Sequence, residues 1–158
     1  MDLFSSAGIA PAQKPKMRLV IHIDGGSRGN PGPAAAGVVI RSADDQTILW
    51  QGGIFLGNAT NNVAEYSGLL RGLQQAIQLG ATDVEAVSDS ELMVKQIKGI
   101  YRVKNEGLQP LYAKANELRR QFKHFAIRHV RREFNKDADR LVNQALDSKR
   151  NVEDAAEY

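Results

Sequence analysis

The sequence has no cysteine, three histidines and one tryptophan in 158 residues. Without thiols it can form neither a disulfide nor a thiolate metal site. With so few imidazoles, a zinc or iron centre has little to be built from. No apolar run approaches the ~20 residues of a membrane span, so no membrane association is expected. The opening stretch "MDLFSSAGIAPAQKPK" begins with Asp2 and lacks the apolar core of a signal peptide. Residues 1–16 are therefore expected to form a flexible tail, and the polar residues 149–158 a second one. These absences suit a cytoplasmic protein. Apolar residues make up 42% and charged residues 25%, which fits one domain with a real core over residues 17–148. The formal charge of +3 leans toward an anionic partner.

What is present begins with "VIHIDGGSRGNPGP", Val20–Pro33. An apolar strand ends on Asp24 and passes at once into a glycine-rich turn. A carboxylate at the end of a buried strand is costly unless a proton, a cation or hydrogen bonds compensate for it. Around it the hydrophobic pattern predicts strands at Met17–Asp24, Ala34–Ser42 and Thr47–Gly57, with Gly52-Gly53 suggesting a bulge. Short connections make these three an antiparallel meander. The period then changes. Val63, Tyr66, Leu70, Leu73 and Ile77 step by three and four, which predicts a helix capped by Thr60 or Asn61 and ended by Gly80. A strand at Asp83–Asp89, helices at Ser90–Gly99 and about Pro110–Gln121, a strand at His124–Arg132 and a last helix from Lys136 complete the order βββαβααβα. This is an α/β protein with a mixed five-stranded sheet and helices on its faces, strand four parallel to strand one.

In that arrangement Asp24 and Asp89 leave the same sheet edge, where α/β sheets bind ligands. Glu65 borders the apolar stripe of the first helix, and Asp139 that of the last. For any one of the 18 acidic residues a solvated surface position is the ordinary expectation. Four converging carboxylates, however, would repel one another unless cations bind, and oxygen-only ligands select Mg²⁺ or Mn²⁺. The glycine-rich turn is not a phosphate-binding P-loop, because no Gly-Lys-Ser/Thr follows. Nor is it a dinucleotide fingerprint, because a strand follows it.

The segments "IDGGSRGNPGPAAAG", "TNNVAEYSGLLRGL", "SDSELMVKQIKG" and "RREFNKDADRLVNQAL" resemble, in order, the four signature segments of type 1 ribonuclease H. The resemblance covers about Met17 to Leu146 and implies the ribonuclease H-like fold. It implies a two-metal endonuclease that hydrolyses the RNA strand of RNA–DNA hybrids to 5′-phosphate and 3′-hydroxyl products. By motif position, Asp24, Glu65, Asp89 and Asp139 are the implied catalytic residues and ligands of two Mg²⁺ ions, with Mn²⁺ as an alternative. Asp24 is the implied bridge, and Glu65 also lies near the ribose 2′-hydroxyl. Asp137 is a neighbouring decoy that the family's "AD-x-L" pattern passes over. Implied substrate contacts are Gly25, Gly26, Asn30, Asn61, Asn62, Ser90, Lys95 and Lys98. Helix capping is an equal reading for Asn61 and Asn62, N-capping is the plainer one for Ser90, and a solvated face for the two lysines.

Two departures from the family stand out. The basic protrusion of many bacterial members is reduced here to "GIYRVKNEGLQP". The stretch "RREFNKDA" carries no histidine before the last acid, where such members have a mobile one. Arg132 and Glu133 are the candidates to replace it. A monomer without an obligate protein partner is expected. The rival readings are a nuclease of the same fold acting on double-stranded RNA or RNA–DNA junctions, and a weakly active hybrid-binding module.

Overall fold

A computed structural model describes residues 15–155. Its strands are β1 (Arg18–Ser27), β2 (Gly32–Ser42), β3 (Ile48–Ala59), β4 (Asp83–Ser88), β5 (His124–His129) and β6 (Val152–Ala155). Its helices are α1 (Asn61–Leu79), α2 (Glu91–Ile97), α3 (Gln109–Arg119) and α4 (Lys136–Ser148), with a 3₁₀ turn at Arg132–Phe134. They build one sheet in the order β5-β4-β1-β2-β3-β6. β1, β2 and β3 pair as an antiparallel meander, and β4 lies parallel to both β1 and β5, as the sequence predicts.

The sheet has six strands where five are expected. β6 comes from the residues read as a polar tail and pairs antiparallel with the edge strand β3. The edge offers unpaired backbone groups. Two hydrogen bonds fix the addition: Trp50 Nε1 donates to Glu153 Oε1 at 2.8 Å, and Phe55 N–H donates to Asn151 Oδ1 at 2.8 Å. Four residues of mixed polarity carry too weak a strand signal to be read alone. The expected N-terminal tail, residues 1–16, lies outside the described residues apart from Pro15 and Lys16.

The bulge suggested at Gly52-Gly53 falls elsewhere. Both glycines pair in register with β2, and the irregularities lie between Ala34 and Ala35 and between Ile40 and Arg41 of β2. Gly52 is needed for space instead: a Cβ there would stand 2.6 Å from the Trp50 ring.

Thr60 caps α1, its hydroxyl oxygen accepting from Val63 N–H at 3.2 Å, so Asn61 and Asn62 are the first helical residues rather than caps. Gly80 ends the helix at φ 89°. The buried face of α1 is centred on Tyr66, Leu69, Leu73 and Ala76, with Leu70 and Ile77 half-buried on its flank. It covers Ile21, Ile23, Val38 and Ile40, and α2 and α3 extend this core through Met93, Ile97 and Leu118. Inside it, Tyr66 OH donates to Gln96 Oε1 at 2.7 Å and ties α1 to α2. α4 alone covers the opposite face, placing Ala138, Leu141, Val142, Ala145 and Leu146 against Ala35 and Val39. Among the described residues no helix is long and apolar enough to cross a membrane.

Two glycines set how closely the helices approach. A Cβ on Gly25 would collide with the α1 backbone at Ala64 and Glu65, and a Cβ on Gly37 with the α4 backbone at Ala138. Gly37→Ala should therefore destabilise the fold by about 1–3 kcal/mol, the usual range for overpacking. A urea midpoint equal to wild type would show that α4 does not rest on this strand.

Candidate active site

In the parallel register of β1 and β4, Ile23 lies opposite Ser88. The next residues, Asp24 and Asp89, consequently leave the sheet side by side. On the other flank Asp24 lies opposite Gly37 of β2, the residue on which α4 rests. Glu65 sits in the second turn of α1, directly over Gly25. Asp139 is in the first turn of α4. The start of α4 is fastened by Asn135, which is 2% exposed. Asn135 Nδ2 donates to the carbonyl of Ile23 at 2.7 Å, while its own carbonyl accepts from Asp139 N–H at 3.2 Å. One residue thus links the backbone just before Asp24 to the helical turn that carries Asp139.

The four acids line one cleft of about 420 Å³. Asp24 is 7% exposed. Burial and then the neighbouring Asp89 charge push its carboxyl up to about 8, against an ordinary 3.8, and hydrogen bonding and charge from Asp139 act in the same direction. The hydrogen bond its Oδ1 accepts from Gly25 N–H, at 2.8 Å, opposes this. Burial likewise raises Glu65 to about 7, with Asp89 adding to the shift, while the Ser90 hydroxyl and the Arg132 charge pull it back. Arg132 Nε stands 3.7 Å from Asp89 Oδ2 on a side chain 88% exposed, so this cation is held only at its tip.

Of the expected substrate contacts, Gly25, Gly26 and Asn61 line the cleft. Asn30 is exposed at its edge, where its Oδ1 accepts from Asn61 N–H at 3.2 Å. Asn62 is exposed on α1 outside the cleft lining. Ser90 is buried as the N-cap of α2, accepting from Met93 N–H at 3.2 Å. Lys95 is not among the residues lining the cleft and contacts Glu91 and Tyr101, at 3.3 and 3.4 Å. Lys98 is the exposed C-cap of α2. Asp137 forms an ion pair with Arg41 outside the cleft, which separates it from Asp139. The sequence reading did not name Ser27, Arg28, Val142, Asn143 and Leu146 as site residues, yet all line the cleft. The last three follow Asp139 at i+3, i+4 and i+7, a helical spacing that would have found them.

Among the described residues no three His, Asp or Glu side chains are already gathered to hold an ion. The donor chemistry nonetheless fits a hard divalent cation. The acids around Asp24 are all oxygen donors, and the ionised forms of Asp24 and Glu65 are disfavoured until positive charge arrives.

The strand order and the acids at its edge define an α/β protein of the ribonuclease H-like class. Residues 22–145 match the Reverse transcriptase-like family. The chain is 48% identical over 132 residues to the bifunctional protein Rv2228c of Mycobacterium tuberculosis, covering 84% of this chain and 36% of that protein, so it spans about a third of that relative. The crystal structure of RNase H1 from Halobacterium salinarum superposes with a TM-score of 0.80 at 43% identity, covering 83% of this chain and 98% of that one. LC11-RNase H1, solved in complex with RNA/DNA hybrid, superposes with a TM-score of 0.78 at 39% identity, covering 83% and 98%. The chain belongs to the ribonuclease H family, type 1.

The raised carboxyls make a pH prediction. The folded, metal-free protein holds protons on Asp24 and Glu65 that the unfolded chain releases near pH 4, so folding stability should fall as pH rises from about 4 to about 8. Asp24→Asn removes part of that dependence. In EDTA its Tm should match wild type near pH 4 and exceed it by a few degrees near pH 8. A gap that does not widen with pH would contradict the burial argument.

Proposed function

We propose that the chain is an endonuclease that hydrolyses the RNA strand of RNA–DNA hybrids, leaving 5′-phosphate and 3′-hydroxyl ends. The observation that carries this reading is the convergence of Asp24, Glu65, Asp89 and Asp139 in one cleft at the end of β1 and β4. It is supported by family membership and by the hybrid-bound relative LC11-RNase H1. Asp24, Glu65, Asp89 and Asp139 would hold two Mg²⁺ ions, or Mn²⁺. When bound, such ions supply Lewis acidity that acidifies water and neutralises charge at a phosphodiester. The incomplete cage suits this use, since phosphate oxygens of a substrate can complete the coordination of Mg²⁺.

The chain's own groups do the rest. Gly25 and Gly26 have no side chain to hold a sugar-phosphate backbone away from Asp24. The Asn61 amide, on the cleft wall, can donate to or accept from sugars and base edges. Glu65, hydrogen-bonded to the Ser90 hydroxyl, would read a ribose 2′-hydroxyl. Arg132 stands 3.7 Å from Asp89, and its exposed guanidinium can turn to a phosphate.

The test is cleavage of an RNA–DNA hybrid beside matched RNA–RNA and DNA–DNA duplexes, with and without Mg²⁺. Only the RNA strand of the hybrid should be cut efficiently, and only with the metal. Replacing one ribose by 2′-deoxyribose should protect that bond alone, and equal cutting there would identify a general metal nuclease. Asp24→Asn, Glu65→Gln, Asp89→Asn and Asp139→Asn should each reduce kcat by about 100-fold or more, the loss expected when several kcal/mol of charge stabilisation go. Wild-type rates from Asp24→Asn and Asp89→Asn together would remove the site assignment.

A further inference from the structure

We propose that Arg28 grips a substrate phosphate at the far end of the cleft, and that Asp147 competes for it and so limits the grip. The inference rests on the ribonuclease reading above.

Arg28 lies in the glycine-rich turn and lines the same cleft as the four acids. Its backbone is fixed: Arg28 N–H donates to Pro33 carbonyl at 2.8 Å, and the neighbouring Ser27 hydroxyl donates to Ala59 carbonyl at 3.0 Å. Its side chain is not fixed in the same way. It is half exposed and, among the described residues, pairs with Asp147, with Nη2 at 2.7 Å from Oδ1. Asp147 sits on α4 eight residues beyond Asp139, which is ~12 Å along the helix. That is too far to touch the bond beside Asp139. It is near enough to reach a phosphate a few nucleotides away, since successive nucleotides rise by ~3.4 Å.

Between the two ends the α4 wall of the cleft is made by Val142, Asn143 and Leu146, which carry no charge. A polyanion lying along this wall therefore meets the acids at one end and Arg28 at the other. The Arg28–Asp147 pair is largely in water, 50% and 69% exposed, where an ion pair is weak. A phosphate can take the guanidinium through two parallel hydrogen bonds and displace it. Asp147 then remains beside the bound strand as a like charge. The chain thus holds a phosphate contact that is partly cancelled, which favours release of the cut strand.

Binding of a short RNA–DNA hybrid in EDTA, over a series of salt concentrations, tests this apart from catalysis. Arg28→Ala should raise Kd about threefold and make the slope of log K against log salt shallower by about one, as the loss of one phosphate contact requires. Arg28→Lys should keep most of the slope. Asp147→Asn should tighten binding by about twofold and lower KM, with kcat moving far less. Its gain should be larger with Arg28 present than in the Arg28→Ala background. A wild-type salt slope in Arg28→Ala identifies Arg28 as a brace for the turn and overturns the proposal, as does an Asp147→Asn protein that binds no tighter. If Arg28→Ala does not fold, Arg28→Gln, which removes the charge but keeps a long side chain, takes its place by the same slope criterion, and Asp147→Asn is read as above. If wild type neither binds nor cuts hybrid, the ribonuclease reading itself fails, which is a different result from a wild type that binds with an Arg28-independent slope.

Discussion

Two helix backbones rest on the central strands at positions where no side chain fits, and the cleft depends on that contact. Gly25 lets α1 settle until Glu65 stands over the end of β1, and Gly37 lets α4 settle until Ala138 touches β2. Gly37 is also the cross-strand partner of Asp24. Glu65 and Asp139 are therefore brought to Asp24 from opposite faces of the sheet. Asn135 secures the α4 side by bonding the Ile23 carbonyl. Small displacements matter here, because interactions between charges and with cations depend steeply on distance.

The same closeness creates the site's electrostatic tension. Asp24 is buried beside Asp89 and Asp139, so its ionised form is disfavoured in the protein alone. Solvated surface acids would cost the fold nothing of this kind. Strain of this sort persists where the surrounding structure over-determines it, and it collects at functional sites. Here the surroundings are the six-stranded sheet and the large core beneath α1, which hold β1 rigid on both flanks. A divalent cation would relieve the repulsion and a proton would relieve it partly, so the stability of the fold would be linked to what the cleft holds.

The cations of the protein are arranged with restraint. The two arginines that line the cleft each lean on an acid, Arg132 on Asp89 and Arg28 on Asp147. Lys95 is occupied by Glu91 and Tyr101. A chain with a formal charge of only +3 and a short loop after α2 has a small excess of basic groups, so on the proposed reading each paired arginine would weigh on how firmly a polyanion is held.

The order of the elements, the antiparallel meander and the parallel placement of β4 were legible in the sequence because each rests on local information, and the four acids were picked out as candidates by their resemblance to the type 1 ribonuclease H segments. Periodicity reports helix or strand, short connections impose antiparallel pairing, and an acid after an apolar strand stands out from its neighbours. The motif favours Asp139 over Asp137, and Asp137 is ion-paired with Arg41 outside the cleft that Asp139 lines. The rest depended on contacts between residues far apart in the chain. β6 exists because Trp50 and Phe55 meet Glu153 and Asn151 about 100 positions away. The partnership of Arg28 with Asp147 joins a turn to a helix 119 residues later. Local pattern carries no record of such pairings, because they form only when the sheet places one end of the chain beside the other.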